Sequence, residues 1–386
     1  MISRKRTEYR QVSLLVGQKK LIAHLIYRFD IGGLERVMVN CINAMPECEH
    51  VIIALTEVSD FAQHLNQKVP VYELKKSPGK DLGSHWRLLR LLRKVKPDVL
   101  HTYNLAAIEY HPIAYLAGVK GHVHAEHGRE ISDPQGLNTK HNFLRRLMSP
   151  FIDHYVAVST DLQHWLTDVV EISPKKVTLI RNGIDTSKFS PSCNKGDEKL
   201  GTVQSSTVNF IHVARLNPVK DQQNLINAFA QLSHQYSNIH LTVVGDGELM
   251  DVLTELSTSL GMAEKITFTG ARDDIANLLS AADVFVLSSI AEGIPMTVLE
   301  AMASGLPVIS TNVGGLSELI TENQTGKLVP AQQSEALASA MGEYVQHPEN
   351  IAIQGKNAQQ FIIDNFSEQS MIKAYQQLYS SSLGLN

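Results

Sequence analysis

Short apolar segments recur along nearly the whole chain and alternate with stretches that have the periodicity of helices. Twelve of these segments fit β-strands, at residues 21–27, 50–55, 71–74, 98–103, 122–127, 154–159, 177–182, 208–214, 240–247, 266–270, 283–289 and 306–311. Continuous apolar runs of this length are typical of parallel strands that helices cover on both faces. The pattern therefore predicts an α/β fold with right-handed crossovers, arranged as two successive sets of about six strands.

A polar stretch without periodicity, residues 190–196, separates the two sets of strands. The proline and glycine within it are typical of a linker. The sequence thus predicts two doubly wound, Rossmann-like parallel-sheet domains over residues 1–190 and 191–365, followed by a helix within residues 366–386. Ligands of doubly wound sheets bind beyond the carboxyl ends of the strands, so we expect a site in the cleft between the domains.

The composition excludes several classes of protein. Hydrophobic residues make up 43% of the 386 residues and charged residues 19%, which excludes a disordered chain. The three cysteines form no C-x-x-C pair, so we expect neither a structural zinc site nor a disulfide framework, and a reducing, cytoplasmic location fits best. The apolar part of the basic N-terminus is too short for a signal peptide, and no run approaches the ~20 residues of a membrane span. Residues 1–19 are interpreted as an extension.

Charge is divided unevenly between the two halves of the chain. Residues 1–190 contain 26 lysines and arginines against 19 acids, whereas the rest of the chain contains 9 against 20. The basic half has the charge to meet phosphates, anionic lipid or nucleic acid. Its cations are dispersed and no nucleic-acid-binding motif accompanies them, so a nucleic acid partner is not expected.

Glycines and cations follow the first strand of each half. Gly32 and Gly33 lie between the first strand and a predicted helix, where backbone N–H groups can approach an anion at the helix N-terminus. The spacing is not G-x-G-x-x-G, so no dinucleotide fingerprint is present. In the second half, Arg215 and Lys220 follow the first strand and would suit a diphosphate, although two solvated surface cations are the simpler interpretation for an isolated pair.

The most informative segment spans residues 288–303. Glu292 follows a strand directly, and Glu300 lies about two helical turns further on. The first turn of the helix between them has backbone N–H groups without helical partners. Carboxylates accept hydrogen bonds from sugar hydroxyls and N–H groups donate to phosphate, so the segment suits a nucleotide sugar.

At this point the chain resembles a known family. The pattern E-G-x-P-x-x-x-x-E-A-M-A-x-G-x-P-V-I over residues 292–309 is similar to that of the retaining glycosyltransferase family 4, the group 1 glycosyltransferases. The resemblance extends over roughly residues 20–380. Further segments that fit the family are Gly32-Gly33, Asn182-Gly183-Ile184-Asp185, the R-x-x-x-x-K spacing of Arg215 and Lys220, Gly245-Asp246-Gly247 and Gly314-Gly315.

The resemblance implies a GT-B fold, in which two Rossmann-like domains face an interdomain cleft and the last helix returns to the N-terminal domain. The N-terminal domain would bind the acceptor and the C-terminal domain the donor. Glu300 would hold the ribose hydroxyls, Glu292 the transferred sugar, and Arg215 with Lys220 the departing diphosphate. The implied donor-binding residues are Gly32, Gly33, Arg215, Lys220, Gly293, Ile294, Pro295, Met296, Thr297 and Glu300. No metal and no cofactor is expected, because the cations take that role; the donor would be a UDP- or GDP-linked sugar.

The resemblance also assigns a histidine. His127 follows a strand of the N-terminal half and is similar to a family histidine near the donor sugar and acceptor. The implied catalytic set is His127, Arg215, Lys220 and Glu292, in a front-face transfer in which His127 orients or polarises and does not attack. Two features depart from the family pattern. Asp221 stands where glycine usually follows the lysine, and its carboxylate would weaken the clamp unless it points away. The first loop has no further basic residue close by except Arg28 and Arg36.

A basic amphipathic helix is predicted over residues 85–96. It places Trp86, Leu89 and Leu92 near one face and Arg87, Arg90 and Lys94 near another. Such a helix either covers the sheet with its cations in solvent or lies on an anionic membrane. The second interpretation would place the protein at the inner face of the cytoplasmic membrane as a peripheral protein.

The leading functional hypothesis is a retaining nucleotide-sugar glycosyltransferase that acts on a glycan or lipid-linked acceptor in cell-surface polysaccharide or glycolipid biosynthesis. Three alternatives stay open. One is a nucleotide-sugar epimerase or hydrolase of the same fold, and another is a phosphorylase, for which we identify no pyridoxal-phosphate lysine. The third is a non-catalytic subunit that binds nucleotide sugars.

Overall fold

Two parallel β-sheets form the framework of the protein. The computed structural model describes residues 19–66, 68–130, 132–189 and 207–384. Within them the first sheet has seven strands: β1 (Leu21–Ile26), β2 (Glu49–Ala54), β3 (Val71–Glu73), β4 (Val99–Tyr103), β5 (Gly121–Glu126), β6 (His154–Ala157) and β7 (Val177–Leu179). The second has six: β8 (Val208–Val213), β9 (Ile239–Val244), β10 (Ile266–Phe268), β11 (Val284–Leu287), β12 (Val308–Thr311) and β13 (Gly326–Val329). The two sheets confirm the predicted α/β, doubly wound architecture.

The strand order of each sheet creates a crevice where ligands of this fold class bind. The first sheet has the order β3-β2-β1-β4-β5-β6-β7 and the second the order β10-β9-β8-β11-β12-β13, with all neighbours parallel. The order reverses between β1 and β4 and again between β8 and β11. At such a switch point the loops that follow the two central strands separate and leave a crevice at the carboxyl edge. Most of the predicted site residues follow β1, β5, β8 and β11.

Helices cover both faces of the two sheets. In the first half they are α1 (Gly33–Ala44), α2 (Leu82–Val95), α3 (Leu105–Ile108), α4 (His111–Ala117), α5 (Thr139–Met148) and α6 (Thr160–His164). In the second half they are α7 (Gln222–Ser233), α8 (Met250–Ser259), α9 (Ile275–Ala281), α10 (Met296–Ala303), α11 (Ser334–Gln346), α12 (Glu349–Asn365) and α13 (Glu368–Ser381). Because helices lie on both faces, β4, β5, β11 and β12 are buried at every position, as the continuous apolar runs predicted.

The last helix, α13, lies against the first sheet and not the second. The Tyr379 hydroxyl is 2.8 Å from His101 Nδ1 on β4, and Gln376 donates to Glu47 at 2.6 Å. The chain crosses back beside Gly183, where a Cβ atom would lie 2.6 Å from the Ser367 carbonyl oxygen. The proposed domain limits stay a prediction, since the predicted linker at 190–196 and residues 1–18 lie outside the described residues.

Two details differ from the sequence-based expectations. Strand β13 was not predicted, because its four residues include a glycine and a lysine and carry little strand signal. The prediction that Trp86 shares a helix face with Leu89 and Leu92 is wrong. Its side chain is 65% exposed, whereas both leucines are buried in the core. Trp86 therefore belongs to the outward face of α2. No described helix is long and apolar enough to cross a membrane.

Candidate active site

Glu292 and Lys220 meet at the carboxyl edge of the second sheet. Lys220 Nζ lies 2.5 Å from Glu292 Oε1, and the Ser289 hydroxyl donates to the same oxygen at 2.6 Å. The Glu292 side chain is only 8% exposed, so little solvent screens the pair. The structure thus brings together one cation of the predicted clamp and the carboxylate predicted to bind the transferred sugar.

Arg215 points in a different direction, toward the first sheet. Its guanidinium donates to the Ile31 carbonyl oxygen and lies 3.8 Å from Asp30 Oδ2, in the loop after β1. Arg215 and Lys220 therefore contact two different acidic or carbonyl groups, one on each side of the cleft. Of the two predicted phosphate cations, Arg215 is therefore the neighbour of the Gly32-Gly33 loop.

The loop that carries Arg215 is held from beneath by a glycine-rich segment. Leu216 N donates to the Asp246 carbonyl oxygen at 2.9 Å, and Gln222 Nε2 donates to the Arg215 carbonyl at 3.0 Å. At Gly245 and Gly247 a Cβ atom would collide with the carbonyl oxygens of Ala214 and Leu216. Only glycine fits this approach, which explains the Gly-Asp-Gly pattern that the sequence contains.

Glu300 is buried on α10 and faces the other sheet. Its side chain is 4% exposed, and Oε1 lies 3.6 Å from Arg36 Nη1 on α1. Burial raises the pKa of Glu300 from 4.5 to about 7, and the nearby Arg36 guanidinium opposes that shift. Arg36 is a residue whose contact with the candidate site was not predicted, because it depends on how the two sheets face each other.

The two glycines after β1 are shaped by a glutamate that follows them. A Cβ atom on Gly32 would collide with Glu35 Oε2, so this carboxyl folds back over the start of α1. Burial raises the pKa of Glu35 from 4.5 to about 7. The sequence contains a signal for this arrangement, because a glutamate at the third helical position has the spacing of a capping box, in which its carboxyl folds back to the helix start. Across the cleft, a Cβ atom on Gly33 would be 3.7 Å from Met296 Cγ, in ordinary contact.

The segment from Gly293 to Thr297 forms the start of α10. Asn182 Nδ2, from the N-terminal half, donates to the Ile294 carbonyl at 2.9 Å. Pro295 is the N-cap residue and makes no side-chain capping bond, and Met296 and Thr297 begin the first turn. The N-terminus of α10 thus faces the cleft, as expected for a site that accepts negative charge.

His127 lies in the loop after β5, against residues 293–297, which are predicted to bind the donor and are called the donor segment below. Its backbone N–H donates to Asn104 Oδ1 at 2.8 Å, and a Cβ atom on Gly293 would collide with the His127 carbonyl oxygen. Its Nε2 is inaccessible to water and finds no hydrogen-bond partner among the described residues. Burial lowers the pKa of His127 to about 4, so the imidazole is neutral at neutral pH.

Asp221, one departure from the family pattern, adopts a left-handed backbone conformation with φ of +47° at the N-cap of α7. Glycine adopts that conformation without strain, which gives a physical reason for the usual residue. Burial raises the pKa of the Asp221 carboxyl, and the backbone N–H of Asn224 partly offsets this. The carboxyl therefore lies close to the start of α7.

The possible metal ligands that the structure describes lie in residues 19–66, 68–130, 132–189 and 207–384. This part of the chain contains no group of three or more His, Cys, Asp or Glu side chains arranged to hold a metal ion. Transfer without a metal stays an expectation from the resemblance.

Comparison with known proteins identifies the family. Residues 31–188 match the model of Glycosyltransferase Family 4, and residues 202–361 match the model of Glycosyl transferases group 1. The chain belongs to the family 4, group 1 glycosyltransferases. It is therefore a glycosyltransferase, as the Glu292–Glu300 segment predicted.

Two similar proteins extend this comparison. The chain is 28% identical over 373 residues to the UDP-Gal:alpha-D-GlcNAc-diphosphoundecaprenol alpha-1,3-galactosyltransferase of Escherichia coli, an alignment that covers 93% of this chain and 96% of that protein. It is 27% identical over 314 residues to the N-acetyl-alpha-D-glucosaminyl L-malate synthase of Bacillus anthracis, with 80% and 81% covered. Both relatives are thus matched over most of their length.

Solved structures show the same fold. Anabaena HepE, crystallised in complex with UDP, aligns with a TM-score of 0.77 at 22% identity, over 94% of this chain and all of that chain. The apo form of the lipopolysaccharide outer core galactosyltransferase WaaB aligns with a TM-score of 0.70 at 19% identity, over 94% and 99%. These likenesses confirm the GT-B architecture.

Proposed function

We propose that the protein is a retaining glycosyltransferase that moves a hexose from a UDP-sugar to a lipid-diphosphate-linked sugar in cell-surface polysaccharide or glycolipid biosynthesis. The observation that carries the proposal is the Lys220–Glu292 pair, held at the start of the helix that also carries buried Glu300. The relative whose printed name includes UDP-galactose and a diphosphoundecaprenol acceptor supports the substrate classes. HepE, which has the same fold, was crystallised in complex with UDP, and a UDP-linked donor for this protein agrees with that complex.

In this proposal the donor lies across the N-terminus of α10. Glu300 accepts hydrogen bonds from the ribose hydroxyls, and Glu292 accepts them from hydroxyls of the transferred hexose. Arg215 and Lys220 neutralise the diphosphate as negative charge develops on it, which is the form of catalysis that fixed charges provide best. Before the donor binds, these two cations have the temporary partners described above, Asp30 with Ile31 and Glu292.

The transfer proceeds on one face of the sugar. The bond from the anomeric carbon to the diphosphate oxygen breaks, and a bond from that carbon to the acceptor hydroxyl oxygen forms on the same face. The acceptor proton passes to the departing diphosphate. Neutral His127 lies against the segment that carries Gly293 and adds no positive charge there, which is a positioning function. Family membership favours this transfer over the epimerase, the phosphorylase and the non-catalytic subunit.

Calorimetric titration with UDP, GDP and ADP, without added metal, tests the donor class. We expect UDP to bind most tightly and Arg215→Ala to weaken binding. Lys356→Ala is the matched control, because Lys356 is exposed on α12. Tight binding of GDP or ADP with no binding of UDP would contradict the proposed donor.

We further propose that the outward face of α2 contacts an anionic membrane, which would bring the cleft to a lipid-linked acceptor. Leu82 and Trp86 are 78% and 65% exposed on this face, and Arg90, Arg93 and Lys94 are exposed beside them. Exposed Trp and Leu next to cations are typical of helices that lie at a bilayer interface. The basic charge of residues 1–190 supports the same surface.

Sedimentation with phosphatidylglycerol vesicles and with phosphatidylcholine vesicles tests this surface. We expect binding to the anionic vesicles only, and at least a tenfold weakening in the double variant Arg90→Ser and Arg93→Ser, because each cation near such a surface contributes about 1 kcal/mol. The control is a double variant of exposed lysines elsewhere, Lys140→Ser and Lys356→Ser. Equal vesicle binding by both double variants would contradict the assignment.

A further inference from the structure

The carboxylate of Glu318 contacts the first half of the molecule beside the cleft. Glu318 belongs to the second half, at the end of the 3-10 turn Gly314–Glu318 after β12. Its Oε1 accepts from the backbone N–H of Thr160 at 2.6 Å and of Asp161 at 3.2 Å, at the start of α6 in the first half. Its Oε2 accepts from the Thr160 hydroxyl at 2.9 Å and from Arg181 Nη2 at 3.0 Å.

These contacts provide hydrogen-bond acceptors for the backbone N–H groups of Thr160 and Asp161 at the start of α6. The first N–H groups of a helix have no acceptor within the helix, and a carboxylate at that end is favoured by both hydrogen bonding and the helix dipole. Arg181 also donates to the Thr160 hydroxyl at 3.0 Å, so Glu318, Thr160 and Arg181 form a closed network. The Glu318 side chain is only 17% exposed, which limits screening by solvent.

The turn that carries Glu318 is also fixed to the donor segment. Gly315 N donates to the Gly293 carbonyl at 3.1 Å. Gly314 has a φ of +54° and lies so close to the Glu292 carbonyl oxygen that any side chain would collide with it. A movement of this turn relative to the first half would therefore move Glu292 and Gly293 as well.

The same donor segment rests on the His127 loop of the first half. The close approach of Gly293 to the His127 carbonyl leaves no space for a side chain, so the two loops fit together in one arrangement. We propose that Glu318 is a positioning residue: its bonds to Thr160, Asp161 and Arg181 hold the two halves in the closed arrangement that places His127 beside the donor segment. In this proposal Glu318 acts through these contacts and not by binding donor or acceptor.

This assignment separates donor binding from transfer. The groups proposed to bind the nucleotide, Arg215, Lys220 and Glu300, lie in the second half together with Glu318. Loss of the Glu318 carboxylate should leave that half intact and loosen only its placement against the first half. A misplacement of about 1 Å in an active site can slow the reaction by ~100-fold.

The test compares Glu318→Ala and Glu318→Gln with wild type by three measurements. They are the dissociation constant for UDP, the rate of transfer from saturating UDP-galactose to a lipid-linked N-acetylglucosamine diphosphate, and the radius of gyration from small-angle scattering. We expect UDP binding within about threefold of wild type, transfer slowed by about tenfold to 100-fold, and a larger radius of gyration. Thr160→Val, which removes one of the donors, should give a smaller change in the same direction.

Glu322→Gln is the matched control. Its carboxylate also accepts from a backbone N–H, that of Leu328 at 3.0 Å, but within the second half, so the radius of gyration and the transfer rate should stay at wild-type values. Transfer by Glu318→Ala within twofold of wild type would overturn the proposal, and so would a parallel loss of UDP binding. If wild type transfers no hexose from any UDP-sugar, the proposed function fails, while an unchanged radius of gyration in Glu318→Ala still refutes the positioning role by itself.

Discussion

Glu300→Gln is expected to stabilise the protein at alkaline pH while it weakens nucleotide binding. The Glu300 carboxyl is buried with Arg36 as its nearby cation, and its pKa is raised from 4.5 to about 7. A folded-state pKa above the unfolded value means that the ionised carboxylate destabilises the fold. This destabilisation is absent at low pH, grows as the pH rises from 4.5 toward 7, and is constant above that.

The size of the effect follows from the two pKa values. Above pH ~7 the difference between the two pKa values lowers the free energy of unfolding by about 3 kcal/mol, because each unit of pKa difference corresponds to about 1.4 kcal/mol. For a domain of this size, that energy raises the melting temperature by roughly 5–10 °C. Glutamine has nearly the same shape and cannot ionise, so the variant gains this stability. Loss of a charged acceptor for the ribose hydroxyls should weaken UDP binding by about tenfold to 100-fold.

The assay is thermal unfolding of wild type and Glu300→Gln at about pH 5 and at about pH 8, with UDP titration at the higher pH. Glu35, whose pKa is also raised to about 7, is present in both proteins, so its contribution cancels in the difference between them. We expect similar melting temperatures at the lower pH and a clear gain for the variant at the higher pH. Equal destabilisation of the variant at both pH values would refute the reasoning, because it would mean that ionisation of Glu300 between these pH values does not lower the free energy of unfolding.

Three further substitutions test the geometry of the cleft. Asp221→Gly should raise the melting temperature slightly, by the equivalent of about 0.5–1 kcal/mol, because glycine adopts the left-handed conformation without strain; a loss of stability would contradict this. Gly293→Ala should slow transfer by at least tenfold without unfolding the protein, because the added Cβ pushes against the His127 carbonyl, and wild-type rates would show that the loops are not packed as described. Lys220→Met should lower kcat by about 100-fold or more with a smaller change in KM for the donor, since it removes a charge that stabilises the departing diphosphate and leaves Glu292 unpaired; a change in KM alone would contradict the role in catalysis.

Much of the fold was predictable because parallel strands buried on both faces have a strong signature. β4 and β5 lie within one residue of the apolar runs that predicted them. β13 was missed because its first residue, Gly326, must be glycine for a steric reason: a Cβ atom would collide with the Val308 carbonyl. Glycine is needed here for the close backbone contact, and glycine has a low strand propensity.

The candidate site was predictable where its residues belong to one local segment. Glu292 and Glu300 are separated by a fixed number of helical turns, so their relation could be worked out from spacing. The contacts of Arg36 with Glu300 and of Arg215 with the loop after β1 could not, because they depend on the relative placement of the two sheets. Glu318 illustrates the same limit, since its partner Thr160 lies 158 positions away in the chain.

The stereochemistry of the product tests the central claim most directly. Purified protein would be incubated with UDP-galactose and a lipid-linked N-acetylglucosamine diphosphate, and the anomeric proton of the product would be observed by NMR. Retaining front-face transfer predicts a new α-linked galactose, formed together with UDP and formed about 100-fold more slowly by Lys220→Met. A β-linked product, or release of free galactose with no acceptor-linked sugar, would contradict the account.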